Sequence, residues 1–78
     1  MTNEHTERVT VKKVKIDDEA IALDVVRRAE KRFVFEIVRD SILVATSDEH
    51  KTAKGAARAG NPVWKRTVKS ALRAKLDQ

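Results

Sequence analysis

The sequence predicts a small α+β domain in which helices pack on one face of a three-stranded sheet, in the order β-α-β-β-α-α. Two runs rich in β-branched residues, 8–16 and 33–46, are typical of strands, and the second contains a turn that makes it a hairpin. Between them an apolar period of 3.6 residues indicates a helix, and a Gly-Asn-Pro corner divides the C-terminal region into two more. The length of 78 residues predicts a single domain over 8–78, preceded by a flexible arm at 1–7.

The first strand is predicted from Arg8 to Ile16. Val9 and Val11 share one phase of the alternation, whereas Val14 and Ile16 share the other. The strand therefore needs a bulge, or must end, near its central lysines. Those lysines also protect a sheet edge from pairing with another chain.

A helix is predicted from Asp17 or Asp18 to about Arg32, because acidic residues suit the positive end of a helix dipole. Its apolar residues span an arc of about 140° in helical projection. These residues are Ile21, Ala22, Val25, Val26 and Ala29. Leu23 falls outside this arc, so we expect it at a margin or a contact.

The runs 33–38 and 42–46 are predicted to form a hairpin. If 40–41 is a two-residue turn, Ile37 opposes Val44 on the core face. A longer loop would shift this register, since Asp-Ser is a weaker two-residue turn than Asn-Gly.

The C-terminal region 47–76 is predicted to contain two helices joined by a tight corner at 60–62. Thr46 or Ser47 can cap the first helix. At the corner, glycine fits the left-handed position that ends a helix, asparagine is a good N-cap, and proline is favoured at the first position of the next helix. The second helix then runs to about Leu76.

Charge is distributed unevenly along the chain. Residues 1–50 carry nine Lys and Arg against eleven Asp and Glu, whereas 51–78 carry eight against one. A basic helix face can be no more than a solvated surface, but such a surface normally mixes both signs. A face of one sign favours phosphates as the partner.

We therefore predict a small basic nucleic-acid-binding module, for DNA or RNA, with an accessory or regulatory role, which contacts phosphates through its C-terminal helices. The predicted contact residues are Lys51, Lys54, Arg58, Lys65, Arg66, Lys69 and Arg73. The alternative is a protein-interaction module, which docks on an acidic protein partner or forms a homodimer through Trp64, Leu72 and Leu76.

The single tryptophan, Trp64, allows two interpretations. Beside Lys65 and Arg66 it could stack on an unpaired base. Its helical spacing with Val68 and Leu72 places it equally well in the core.

Two resemblances bear on nucleic acid. The stretch from His50 to Ala57, HKTAKGAA, resembles the Lys/Ala-rich start of the last helix in double-stranded-RNA-binding domains, which also follows a hairpin. The resemblance implies that His50, Lys51 and Lys54 straddle phosphates across a groove. That family has three strands between its helices and one closing helix, whereas two strands and an extra helix are predicted here. A helix, corner and helix from Asp48 to Leu76 also permit a helix-turn-helix interpretation, with the second helix in a major groove.

Composition and motifs argue against other classes of protein. The chain has no cysteine and two histidines, which make a poor metal set, and it lacks GxGxxG, Walker-type, HExxH and nucleophile-elbow motifs. We therefore expect no enzymatic activity, no cofactor and no metal. No apolar run approaches the roughly 20 residues of a membrane span, so we expect a cytoplasmic protein without a membrane partner.

Overall fold

The computed structural model describes residues 7–77, which form a four-stranded antiparallel sheet followed by one helix. The strands are neighbours in chain order and are β1 Glu7–Ile16, β2 Glu19–Ala29, β3 Arg32–Arg39 and β4 Ile42–Thr46. The helix, α1, spans Ala53–Leu76 and packs on one face of the sheet. The predicted α+β class is confirmed, but the predicted three-stranded sheet with three helices is wrong. The predicted arm at 1–7 lies outside the described residues except for Glu7, which begins β1.

The segment predicted as the first helix is β2, a central strand between β1 and β3. Ile21 and Leu23 face α1 and are both 0% exposed, while Val26 on the opposite face is 2% exposed. A strand buried on both faces is apolar at nearly every position, so its period does not distinguish it from a buried helix. The predicted helix left Leu23 outside its apolar face. The strand accounts for the complete burial of this residue.

The bulge predicted in β1 is confirmed, because the pairing of β1 with β2 shifts between Thr10 and Lys12. The two-residue turn between β3 and β4 is also confirmed: Asp40 and Ser41 have φ values of 52° and 70°, as a primed turn requires.

The predicted register of β3 and β4 is wrong beyond the first pairs. A further bulge lies in β4, and it places Ala45 rather than Val44 opposite Ile37. Such a bulge depends on how the two strands pair locally, and the order of apolar and polar residues along β4 does not indicate it.

The two predicted C-terminal helices are one, since α1 continues through 60–62 without interruption. Its N-cap is Thr52, whose hydroxyl accepts a 3.0 Å hydrogen bond from the backbone N–H of Gly55. Ser47, predicted as a possible cap, instead extends the pairing of β4, because its hydroxyl accepts a 2.9 Å hydrogen bond from the N–H of Phe35. The predicted left-handed glycine at the corner is wrong too, as neither glycine of the chain has a positive φ.

Gly60 is required for a different reason, the close approach of α1 to the sheet. A Cβ atom at this position would lie 2.6 Å from Cδ1 of Leu23 and 2.8 Å from Cγ of Phe35. Pro62 lies on the exposed side of the helix, where water can satisfy the carbonyl that its ring leaves unpaired.

The core lies between the sheet and α1 and is centred on Ile21, Leu23, Phe35, Ile37 and Ala71. On the other face of the sheet, Asp24 is 6% exposed and accepts hydrogen bonds from Arg8 at 2.8 Å and Thr10 at 2.7 Å. Arg8 also contacts Glu36 at 2.7 Å. These hydrogen bonds, to Asp24 first and then to Glu36, raise the pKa of Arg8 above its ordinary value. Arg8 thus bridges two carboxylates on the face of the sheet opposite α1.

Candidate nucleic-acid interface

The seven predicted contact residues are all exposed. Lys51 precedes α1, and the other six lie on it. We call these six the basic face of α1; they are Lys54, Arg58, Lys65, Arg66, Lys69 and Arg73.

The basic face is directed away from the sheet. The buried residues Ala56, Gly60 and Ala71 mark the side of α1 that packs on the sheet. At about 100° per residue, the six cations lie within an arc of about 120° centred on the opposite side. Because the helix is continuous, they follow one row about 28 Å long, at about 1.5 Å per residue, instead of two stripes that meet at a corner.

Within this arc the cations form a ridge with two flanks. Arg58 and Lys69 lie near its centre, with Lys54 and Lys65 toward one flank. Arg66 and Arg73 lie on the flank nearer β4, where Arg66 borders a groove of about 430 Å³ between the helix and Val44.

None of the seven predicted residues forms a salt bridge within residues 7–77. Five other cations in the same range do, namely Arg8, Arg27, Arg32, Arg39 and Lys75. From residue 51 onward the single acid of the sequence is Asp77. The positive charge of the basic face is therefore not compensated by neighbouring carboxylates.

The helix dipole explains only part of this charge. Arg73 and Lys75 lie in the last turn, where cations stabilise a helix. The first turn contains no acid, and Lys54 lies there instead, where a cation is unfavourable. Lys54 therefore does not stabilise the helix through its dipole.

Trp64 belongs to the core side of α1 and not to the basic face. It packs against the core cluster, and its indole N–H donates a 3.2 Å hydrogen bond to the carbonyl of Ile21. Lys12 lies over its ring, with Nζ 5.4 Å from the centroid. Of the two interpretations of Trp64, this geometry favours the structural one.

His50, implied as a phosphate contact by the resemblance, is tied to the sheet through its backbone. It forms an isolated bridge with Phe33, with N···O distances of 2.7 and 2.8 Å. Lys51 and Lys54 follow it, exposed, at the start of α1. The helix-turn-helix interpretation is wrong, because the region from Asp48 to Leu76 contains the single helix α1.

The sequence did not indicate where three further exposed cations lie relative to the basic face. Lys13 and Lys15 pair with Ala22 and Ala20 of β2, so they lie on the face of the sheet opposite α1. Lys75 forms a salt bridge with Asp17, with 2.6 Å between Nζ and a carboxylate oxygen. These three do not join the basic face.

Other kinds of site are not assembled in the part of the chain that the structure describes. Over residues 7–77, no three His, Cys, Asp or Glu side chains cluster so as to hold a metal ion. In the same range, no helix has the length and apolar character needed to cross a membrane. Comparisons with protein-family models, with curated proteins and with solved structures give no match.

Proposed function

We propose that this protein is a small nucleic-acid-binding module, accessory or regulatory in role and acting in the cytoplasm, whose helix α1 contacts the phosphate backbone. The observation that carries the proposal is the basic face, six exposed cations in one arc of an uninterrupted helix that form no salt bridge with any residue of 7–77. Lys51 extends this surface beyond the N-terminus of the helix. Phosphates are the commonest partner of such a surface, since each contact releases condensed counterions.

Two features favour this function over an ordinary solvated helix. A solvated face usually carries both signs of charge, whereas this one carries a single sign. In addition, Lys54 opposes the helix dipole, so its presence is unfavourable unless an anion binds there. A phosphate near the first turn would reverse that cost.

The test compares two double variants with the same change in net charge. Lys65→Ala with Lys69→Ala removes two cations from the basic face, and Lys13→Ala with Lys15→Ala removes two from the opposite face of the sheet. Lys12 is not a suitable control, because it contacts Trp64.

Fluorescence anisotropy with a labelled duplex of about 20 base pairs should show an affinity loss of about ten-fold or more for the variant that lacks Lys65 and Lys69. The variant that lacks Lys13 and Lys15 should lose much less affinity. Equal losses would mean that net charge alone attracts the ligand, and would contradict a specific interface on α1.

A second function, protein interaction, is favoured by the edge strand β4. Ile42, Leu43 and Val44 are 65%, 52% and 49% exposed, although Val44 was expected on the core face. The other edge, β1, is protected by lysines and a bulge, whereas β4 carries no charge. This strip is a better contact for a second copy than the predicted Trp64, whose indole N–H is already bonded. A dimeric mass in solution that Leu43→Lys converts to a monomer would support this second function.

A further inference from the structure

We propose that the ligand of α1 is duplex DNA in the B form, and that the helix enters its major groove. This inference rests on the proposed function and specifies the class of nucleic acid. It follows from two observations, the burial of the aromatic side chains and the shape of the basic face.

The aromatic residues argue against a single-stranded ligand. Proteins that bind single strands stack bases on exposed aromatic rings. The chain has three aromatic residues, one Trp and two Phe. Phe35 is 7% exposed, Trp64 packs against the core, and Phe33 is partly buried and paired through its backbone with His50. None of the three lies on the basic face, so unpaired bases would find no platform there.

The shape of the basic face distinguishes B-form from A-form duplexes. The cations lie on a single convex ridge, since α1 is the one layer above its side of the sheet among residues 7–77. A helix with its side chains is about 10–12 Å wide, which matches the B-DNA major groove of about 12 Å. The major groove of an A-form RNA helix is too narrow for side chains to read, and its minor groove is shallow. A ridge therefore fits B-form DNA better than duplex RNA.

The positions of the cations match this orientation. With the ridge directed into the groove, Arg58 and Lys69 point toward base edges, where Arg and Lys bind the O6 and N7 acceptors of guanine. Lys54 and Lys65 on one flank, and Arg66 and Arg73 on the other, then face the two phosphate backbones. Cations on both flanks are expected for a helix inside a groove, whereas a helix lying on one backbone needs them on one side.

The test measures binding to four probes of one sequence: a DNA duplex of about 20 base pairs, the matching RNA duplex, and each DNA single strand. The DNA duplex should bind at least ten-fold more tightly than the other three at the same salt concentration. Equal or tighter binding to the RNA duplex or to a single strand would overturn this inference and leave the proposed function standing. Undetectable binding to all four would overturn both.

A second measurement locates the groove. A DNA duplex whose cytosines carry glucosylated 5-hydroxymethyl groups has its major groove filled, and it should bind at least ten-fold more weakly. Netropsin, which occupies the minor groove, should leave the affinity of the unmodified duplex unchanged. Insensitivity to glucosylation, or competition by netropsin, would overturn the placement of α1 in the major groove. The Lys13→Ala and Lys15→Ala double variant serves as the control and should keep the sensitivity of the native chain to both.

Discussion

Gly60 illustrates how a single residue can be recognised as important and yet assigned the wrong role. Beside asparagine and proline, glycine is typical of a helix end, and the prediction of a corner followed from that pattern. The sequence could not indicate that the side chains of Leu23 and Phe35 lie where a Cβ atom would be. That requirement is set by packing between distant segments, which local propensities do not describe.

Gly60→Ala should therefore destabilise the protein, although alanine is the better helix former. Overpacking costs about 1–3 kcal/mol, and the gain in helix propensity offsets about 1 kcal/mol of it. We expect a net loss of up to about 2 kcal/mol in the free energy of unfolding, measured by urea melts. Ser70→Ala, at an exposed position of the same helix, is the control and should change stability by less than about 0.5 kcal/mol. A stabilised Gly60→Ala variant would mean that α1 does not approach the sheet so closely.

At the scale of elements, the sequence predicted the strands with clear alternation and one turn, the turn between β3 and β4. β1 with its bulge, the β3–β4 hairpin and its turn all follow from period-two patterns and turn residues. β2 could not be predicted in this way, because Ile21, Leu23, Val25 and Val26 are apolar on both faces of the strand. The choice between helix and strand depends on the neighbouring strands, which only the fold supplies.

Pro62 provides a direct test of the continuous helix. If α1 is uninterrupted, Pro62→Ala restores the hydrogen bond from the N–H of residue 62 to the carbonyl of Arg58. The variant should be more stable by about 1–3 kcal/mol, because proline is about 3 kcal/mol worse than alanine inside a helix. Urea melts measure this difference. A loss of stability would instead indicate a helix that begins at Pro62, where proline is favoured.

At the scale of the whole molecule, the cations of the basic face differ from five other cations both in their position and in forming no salt bridge over residues 7–77. The net charge is +5, yet five cations outside the basic face, Lys75 of α1 among them, are paired with carboxylates over residues 7–77. The uneven composition of 51–78 was sufficient to predict which residues form the candidate site. Their arrangement in one row could not be predicted, because it depends on whether the helix continues through Gly60 and Pro62. The molecule thus presents the unpaired charge of α1 on the side away from the sheet.

The central claim is that this unpaired charge binds phosphates, and the salt dependence of the affinity for a DNA duplex tests it most directly. If four to six cations neutralise phosphates, the plot of log affinity against log salt concentration should have a slope of about −4 to −5, since each contact contributes about −0.9. Lys65→Ala with Arg66→Ala, which removes one cation from each flank, should reduce the steepness of the slope by about two, whereas Lys13→Ala with Lys15→Ala should leave it unchanged. An equal slope for the native chain and the Lys65 and Arg66 variant, or no binding at about 50 mM salt, would contradict the account.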